Sequence, residues 1–450
     1  MKRLLGLVFT IALLVSTSCR QPQPVATPAD GPPPDATETQ GDSIDVAYQL
    51  IVQRSVDPVD AAAVATAGVN GLRLALVQDG VTPPEVPVPQ FTKDASQDVS
   101  LLHASVQNAI DRYSSKLTPS QADDAVIEAM AKSAGDCHTS YFTPQQFQQQ
   151  LASIQGQIQF GGIGASLRKS KPAEPLVIWR VFDGSPAAKA GLKDGDVIQA
   201  VDGRDVSDYN VQAIVDLIRG PIGQPVTLTI KPVGQQVSRQ VKIVRAEIQP
   251  PTVEYRMLPN QVGYIQLYHF PENVAGQLQQ AMDALDRQGA TSLIVDVRDN
   301  GGGVLESVTQ VLSMFVPKNT LLFYLYDSSG KRTDYLADGS MRAHLPPMTV
   351  LTNEGTGSGG EIFAAVLQDQ KVAKVVGGQT AGCVGTGRLF PLPSGGGLQV
   401  AVARLLTGQG RVLNQIGVTP DVTSTMGYQD LVAGRDPQLQ RAIQLLQSGQ

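Results

Sequence analysis

Apolar residues recur at every third or fourth position in SIDVAYQLIVQR and DAAAVATAGVNGLRLALVQ, and again in DVSLLHASVQNAIDRYSSKL and SQADDAVIEAMAKSAG. That spacing lines one face of a helix, so residues 43–157 are predicted as a helical region. VTPPEVPVPQFT interrupts it, and its prolines predict an exposed loop. A Gln-rich helix follows Pro144. From 158 to 247 the pattern changes: PLVIWRVF and PVTLTIKPV are β-branched runs of strand length, with NVQAIVDLIRG as a helix between them. From 253 to 430 strands (VGYIQLYHF, SLIVDVRDN, MTVLTNEG, KVVGGQT, LQVAVARLLT) are interspersed with helices (AGQLQQAMDALDRQG, GGEIFAAVLQDQ), which predicts an α/β core. A last helix is expected in 431–450.

Composition narrows the function classes. The 450 residues are 42% hydrophobic, ordinary for a globular multidomain chain. A net charge of -6 offers no electrostatic case for nucleic acid. The cysteines are Cys19, Cys137 and Cys383, and the histidines His103, His138, His269 and His344. No CxxC or HExxH spacing occurs, so neither a built-in metal nor another cofactor is expected.

The N-terminus reads as a targeting segment. Lys2 and Arg3 precede a short apolar run, Leu4 to Val15, then Ser16, Thr17, Ser18 and Cys19. Small residues leading into a cysteine resemble a bacterial lipoprotein signal (1–19), which implies lipidation of Cys19 and a membrane anchor. An ordinary secretory signal is the alternative. Either implies export to the cell envelope, periplasmic or on the outer surface. Residues 20–42, rich in Pro, Ala and Thr, read as a flexible tether.

Two segments carry candidate chemistry. In MTVLTNEGTGSGGEIFAAVLQ a strand, a Gly-rich turn and a helix succeed one another, with Ser358 on the turn. A serine there is exposed, and helix N-terminal amides can hold an oxyanion. Ser358-Gly-Gly-Glu361 is equally a capping box. In SLIVDVRDNGGGVL a buried strand delivers Asp296, Arg298 and Asn300, then Gly301 to Gly303, whose amides can supply a second oxyanion donor. Gly301 to Gly303 also suit a tight turn, and Asp296 with Arg298 a structural ion pair.

Taken in order, these segments resemble the carboxyl-terminal processing (tail-specific) serine peptidases of family S41. GDCHTSYFTP, GSPAAKAGLKDGDVI, VGYIQL, LIVDVRDNGGG, NEGTGSGGEI, VVGGQTAG and GVTPDV all contribute, over roughly residues 45–425. The resemblance implies a multidomain α/β protein: an S41 core of ClpP/crotonase-like type (253–430), an inserted PDZ domain (158–247) and the N-terminal helical region (43–157). It implies that Phe160, Gly161, Gly162, Ile163 and Gly164 form the PDZ carboxylate-binding loop, which receives the C-terminal tails of protein partners. It implies an acyl-enzyme at Ser358, with oxyanion donors at Gly302 and Gly359.

The chain departs from that family at the base. The lysine of the family's T-x-G-K-G pattern is replaced by Cys383 in TAGCVG, and a supporting glutamine four residues later by Gly387. A neutral thiol is an acid and cannot accept the serine proton, and Arg388 stays protonated. The tricorn-like branch of the family uses a histidine in a segment resembling DCHTSY, which makes His138 the candidate base and Asn414 its candidate orienter. His269 is a weaker rival, and His103 and His344 carry no motif. Cys137 also departs from the family pattern, which has proline there. Two unusual cysteines in segments that the family places at the active site imply a Cys137–Cys383 disulfide; two buried thiols, or a nucleophilic Cys383, are the alternatives. Two functions follow: an exported serine endopeptidase recruiting C-termini through its PDZ domain, or a catalytically silent relative acting as a peptide-binding adaptor.

Overall fold

The structure is a computed structural model that describes residues 42–448 apart from 93, 158–159, 170–173 and 250. The signal segment with Cys19 and nearly all of the tether lie outside the described residues.

The helices expected at the N-terminal end form, and their starts are capped as the sequence dictates. The Asp42, Asp60 and Asp94 carboxylates accept N–H groups at the starts of helices Ser43–Arg54, Ala61–Gln78 and Ala95–Arg112. Thr118 and Thr143 open capping boxes before the prolines of Pro119–Ser133 and Pro144–Ile154. Helices Ala61–Gln78 and Pro119–Ser133 cross closely: a Cβ on Gly71 would lie 2.3 Å from the carbonyl oxygen of Ala125. Their buried residues, among them Leu72, Leu102 and Met130, share one hydrophobic cluster with Phe390, Leu398 and Val400 of the C-terminal half. The helical region is therefore packed on the peptidase core.

The core contains two sheets. The first runs Val253–Leu258, Val262–Leu267, Ser292–Asp296, Met348–Thr352, Ala373–Gly377 and Val422–Thr423 in spatial order. It is parallel except for the first pair. Both faces are covered, so its central strands are wholly buried. The second sheet centres on the long strand Gly397–Thr407. Thr386–Pro391 flanks it on one edge, and Ser140–Phe142 and the hairpin Leu321–Asp327/Arg332–Leu336 flank it on the other. Ser140–Phe142 belongs to GDCHTSYFTP, so this pairing carries Cys137 and His138 from the helical region into the core.

The inserted domain is a five-strand antiparallel path, Ala165–Arg168, Leu176–Val181, Val197–Val201, Pro225–Lys231 and Arg239–Val244, with helix Val211–Ile218 over it and its own buried core. Ala165–Arg168 is an edge strand. The C-terminal stretch folds as two helices, Tyr428–Val432 and Pro437–Gln447.

Candidate active site

Ser358 lies between strand Met348–Thr352 and helix Gly359–Asp369, in a backbone conformation (φ 46°, ψ −116°) that a residue with a Cβ rarely adopts. Such strain persists only where surrounding bonds over-determine it. Here the Ser358 N–H donates to the carbonyl of Cys383 at 3.0 Å and to Glu361 Oε2 at 3.1 Å. The turn before it is held by Thr356, whose hydroxyl donates to the Val297 carbonyl at 2.8 Å. Glu361 makes its half of the expected capping box, and the Ser358 hydroxyl makes no side-chain hydrogen bond among the described residues.

Glu361 has a wider role than sequence suggested. Its carboxylate is wholly buried. Besides Ser358, it accepts the Thr380 hydroxyl, the Gly382 N–H at 2.8 Å and the Cys383 N–H at 2.9 Å. One side chain thus fastens the serine turn to the segment that carries Cys383.

The glycine loop meets this turn. Gly302 has φ 97°, and a Cβ there would lie 2.5 Å from Gly359 N and 2.8 Å from Ser358 Cβ, so only glycine fits. The buried Asn300 side chain shapes the loop, donating to the Leu267 carbonyl at 2.8 Å and accepting the Gly302 N–H at 2.8 Å. That bond engages the Gly302 amide, the oxyanion donor expected from sequence, with Asn300. The amides of Gly359, Gly301 and Gly303 have no acceptor among the described residues. Asp296 and Arg298 form the expected ion pair, but it extends further: Arg298 also donates to Asp436 and Gln438, each at 2.9 Å, tying the strand to the C-terminal helix.

The structure joins Cys137 and Cys383 in a disulfide, with Cα atoms 5.9 Å apart. His138 packs against it, Nδ1 lying 3.3 Å from Cys137 Sγ and 3.8 Å from Cys383 Sγ. Asp136 Oδ1 holds the loop by accepting the N–H groups of His138 at 2.7 Å and Thr139 at 2.6 Å. Burial pushes the His138 ring below its ordinary pKa near 6.5, partly opposed by Asp136. The Ser358–His138–Asn414 relay expected from sequence is not assembled. The Ser358 hydroxyl and His138 make no hydrogen bond with each other, and His138 Nδ1 faces the sulfurs. Asn414 Oδ1 instead accepts the Val384 N–H at 3.3 Å. His269 Nε2 is buried without a hydrogen-bond partner and makes no bond to Ser358. His103 pairs with Asp45 among the N-terminal helices.

A second glutamine fills the space left at Gly387. A Cβ on Gly387 would lie 2.5 Å from Gln399 Nε2, which donates to the His138 carbonyl at 3.0 Å. Gly385 has the same relation to His138, where a Cβ would lie 3.3 Å from Nδ1. Neither Gln399 nor the reach of Glu361 was anticipated. Gln399 pairs across strands with Leu389, so only the strand register reveals its place.

In the PDZ domain the backbone of Phe160–Gly162 pairs with Ala246–Ile248. The turn continues through Ile163 and Gly164, whose amides have no acceptor among the described residues. Gly164 has φ 74°, and a Cβ on it would meet Ser185 Cβ at 2.4 Å. Beyond it a cavity of about 100 Å³ opens between edge strand and helix, lined by Ile163, Ala165, Leu167, Phe182, Val215 and Ile218 among others. Arg168, at the end of the edge strand, pairs with Asp299 beside the glycine loop.

A strained serine at a helix start, a facing glycine loop and an inserted PDZ module define a serine peptidase architecture. The model of peptidase family S41 matches residues 261–424, and a PDZ domain model matches 177–232. The chain is 31% identical over 340 residues to the carboxyl-terminal-processing protease of Picosynechococcus, covering 74% of this chain and 81% of that one. It is 30% identical over 330 residues to the protein of the same name from Synechocystis, covering 72% and 76%. Among solved structures, a photosystem II D1 C-terminal processing protease superposes with a TM-score of 0.51 at 25% identity, covering 85% of this chain and 92% of that one. The chain belongs to family S41, the carboxyl-terminal-processing serine peptidases.

Proposed function

We propose that this chain is an exported, lipid-anchored endopeptidase that captures the C-terminal tails of protein substrates on its PDZ domain and cleaves them through an acyl-enzyme at Ser358. The observation that carries the reading is the Ser358 turn: a strained backbone, an uncommitted hydroxyl and an open Gly359 amide at a helix start. Tail capture is supported by the edge strand Ala165–Arg168, which can take a further strand, beside free amides and an apolar cavity. Export and the anchor at Cys19 rest on the N-terminal sequence; labelling by a radioactive fatty acid should vanish in Cys19→Ser.

A fluorophosphonate probe tests the nucleophile. Labelling that maps to Ser358 and disappears in Ser358→Ala is expected; absence of labelling in every redox state sinks the acyl-enzyme. One observation favours the adaptor reading: the residue at the lysine position is locked in a disulfide, and among the described residues no base bonds the serine hydroxyl. On that reading tail binding persists without hydrolysis.

A further inference from the structure

Cys383 holds the sequence position of the family's lysine, and the surroundings of its disulfide are arranged so that opening it need not move the backbone. Cys383 is fixed relative to Ser358 by two bonds that do not involve sulfur: its carbonyl accepts the Ser358 N–H at 3.0 Å, and its N–H donates to Glu361 at 2.9 Å. The partner loop is fixed separately. Strand Ser140–Phe142 pairs with Gly397–Gln399, Thr139 Oγ1 accepts the Ala401 N–H at 3.1 Å, and Gln399 holds the His138 carbonyl. Cys137 is exposed whereas Cys383 is half-buried, so an incoming thiolate meets Cys137 Sγ first. Sulfur leaving from Cys383 finds the His138 ring beside it.

We propose that Cys383 is a masked general base: the Cys137–Cys383 disulfide holds the peptidase silent, and reduction by a dithiol frees a Cys383 thiolate that takes the proton of Ser358. This rests on the reading of Ser358 as nucleophile. One thiolate of the dithiol attacks Cys137 Sγ, forming a mixed disulfide and expelling Cys383 as thiolate. The second thiol of the reductant then displaces Cys137, leaving the reductant as a disulfide and the protein with two reduced sulfurs. An ordinary thiol ionises near pH 8.5, so the freed Cys383 sulfur is partly thiolate at mildly alkaline pH and in that form is a base of useful strength. As Ser358 Oγ bonds to the scissile carbonyl, its proton passes to Cys383 Sγ and then to the departing amine nitrogen. Water, deprotonated by the regenerated thiolate, adds to the acyl carbonyl; the Ser358 Oγ–acyl bond then breaks, the new carboxyl group leaves, and Cys383 Sγ returns its proton to Ser358 Oγ. The peptidase and the silent relative become two redox states of one molecule.

The test compares the full chain, oxidised or treated with dithiothreitol, for fluorophosphonate labelling and for hydrolysis of fluorescein-labelled casein. Native fold is checked by near-UV circular dichroism in each sample. Reduction should raise both rates on the order of 10²–10⁴-fold, the usual contribution of a general base. Cys137→Ser should show the higher rates without reductant, Cys383→Ala should stay slow in both states, and the label should map to Ser358. A wild type indifferent to reductant, or a Cys383→Ala variant as fast as reduced wild type, overturns the proposal. So does casein hydrolysis that survives Ser358→Ala, which would make the thiol the nucleophile. Cys383→Lys separates the two levels of inference. If it labels and cleaves in both redox states while wild type never responds, Ser358 stands as nucleophile and the masked base falls. If it folds but never labels, the Ser358 reading fails and takes the proposal with it.

Discussion

Glu361 is the residue on which the site's geometry converges. It accepts four donors in a fully buried position, three of them backbone N–H groups that sheet or helix bonding does not satisfy. Glu361→Ala would strand the Thr380 hydroxyl and the Gly382 and Cys383 N–H groups, each costing about 1–3 kcal/mol when left unpaired, while the Ser358 N–H keeps the Cys383 carbonyl. A loss of roughly 3 kcal/mol or more in denaturant stability is expected, with fluorophosphonate labelling lost as well, because Ser358 and Cys383 share this anchor. A variant matching wild type in both measurements would reduce Glu361 to a helix cap. That cap was the part visible in the sequence, since S-x-x-E is a local pattern; the bonds to Thr380, Gly382 and Cys383 come from a separate strand–loop segment and leave no local trace. His138 and His269 allow a pH prediction at the same scale. Burial lowers both below their ordinary value near 6.5, with Asp136 opposing at His138. The unfolded chain then binds protons that the folded chain refuses. Stability present above about pH 6.5 is therefore lost as pH falls through that value toward the folded pKa. Guanidinium midpoints should drop between about pH 7.5 and about pH 5.5, and the drop should shrink in His269→Leu. An unchanged drop in that variant would show that His269 does not contribute.

At the scale of elements, the PDZ groove makes its own prediction. Leu167 lines the cavity between edge strand and helix. Leu167→Glu should weaken binding of a fluorescent peptide with a free apolar C-terminus by about tenfold or more, equivalent to about 1.4 kcal/mol. Amidating the same peptide should weaken it too, because the free amides of Ile163 and Gly164 then face no carboxylate. Equal binding of amidated and free peptide in an anisotropy titration would refute tail capture there. The elements themselves were legible in proportion to how local their causes are. The N-terminal helices followed from apolar spacing, and the four central strands of the parallel sheet from short apolar runs, whereas its outer strands Val253–Leu258 and Val422–Thr423 went unread. The hairpin Leu321–Asp327/Arg332–Leu336 went unread, although its strands pair closely. Three residues, Ser140–Phe142, form a strand only because Gly397–Gln399 offers them an edge. That pairing is what brings Cys137 to Cys383, so family resemblance could suggest the bridge while the residue pattern alone could not.

At the scale of the whole molecule, the PDZ domain is docked through few contacts, and one of them carries an intrinsic probe. Trp179 is the only tryptophan in the chain. Arg168 from the PDZ edge strand lies 4.9 Å from its ring centroid, and Arg298 from the peptidase core 6.0 Å. Arg168 also pairs with Asp299, and Leu431 packs on Val177 and Val197 with Trp179 at the border of that cluster. Asp299 is half exposed, so its ion pair contributes about 1 kcal/mol at most; Arg168 and Trp179 sit on neighbouring PDZ strands, so of the two guanidinium groups at the ring only that of Arg298 crosses between the domains, adding about 0.5 kcal/mol. These terms are small against the stability of two separate cores. They matter more against an interface whose fully buried apolar residues are Leu431, Val177 and Val197, bordered by Met426, Tyr428, Val432 and Trp179. Arg168→Ala should therefore leave both cores folded while loosening their contact. Its tryptophan emission should shift to longer wavelength in native buffer, with far-UV circular dichroism unchanged. In urea the emission transition should precede the dichroism transition, whereas in wild type the two should run closer together. If variant and wild type superimpose in emission and in both transitions, the docking does not depend on Arg168, and the Leu431 cluster with the Arg180–Glu254 ion pair suffices to hold the domain.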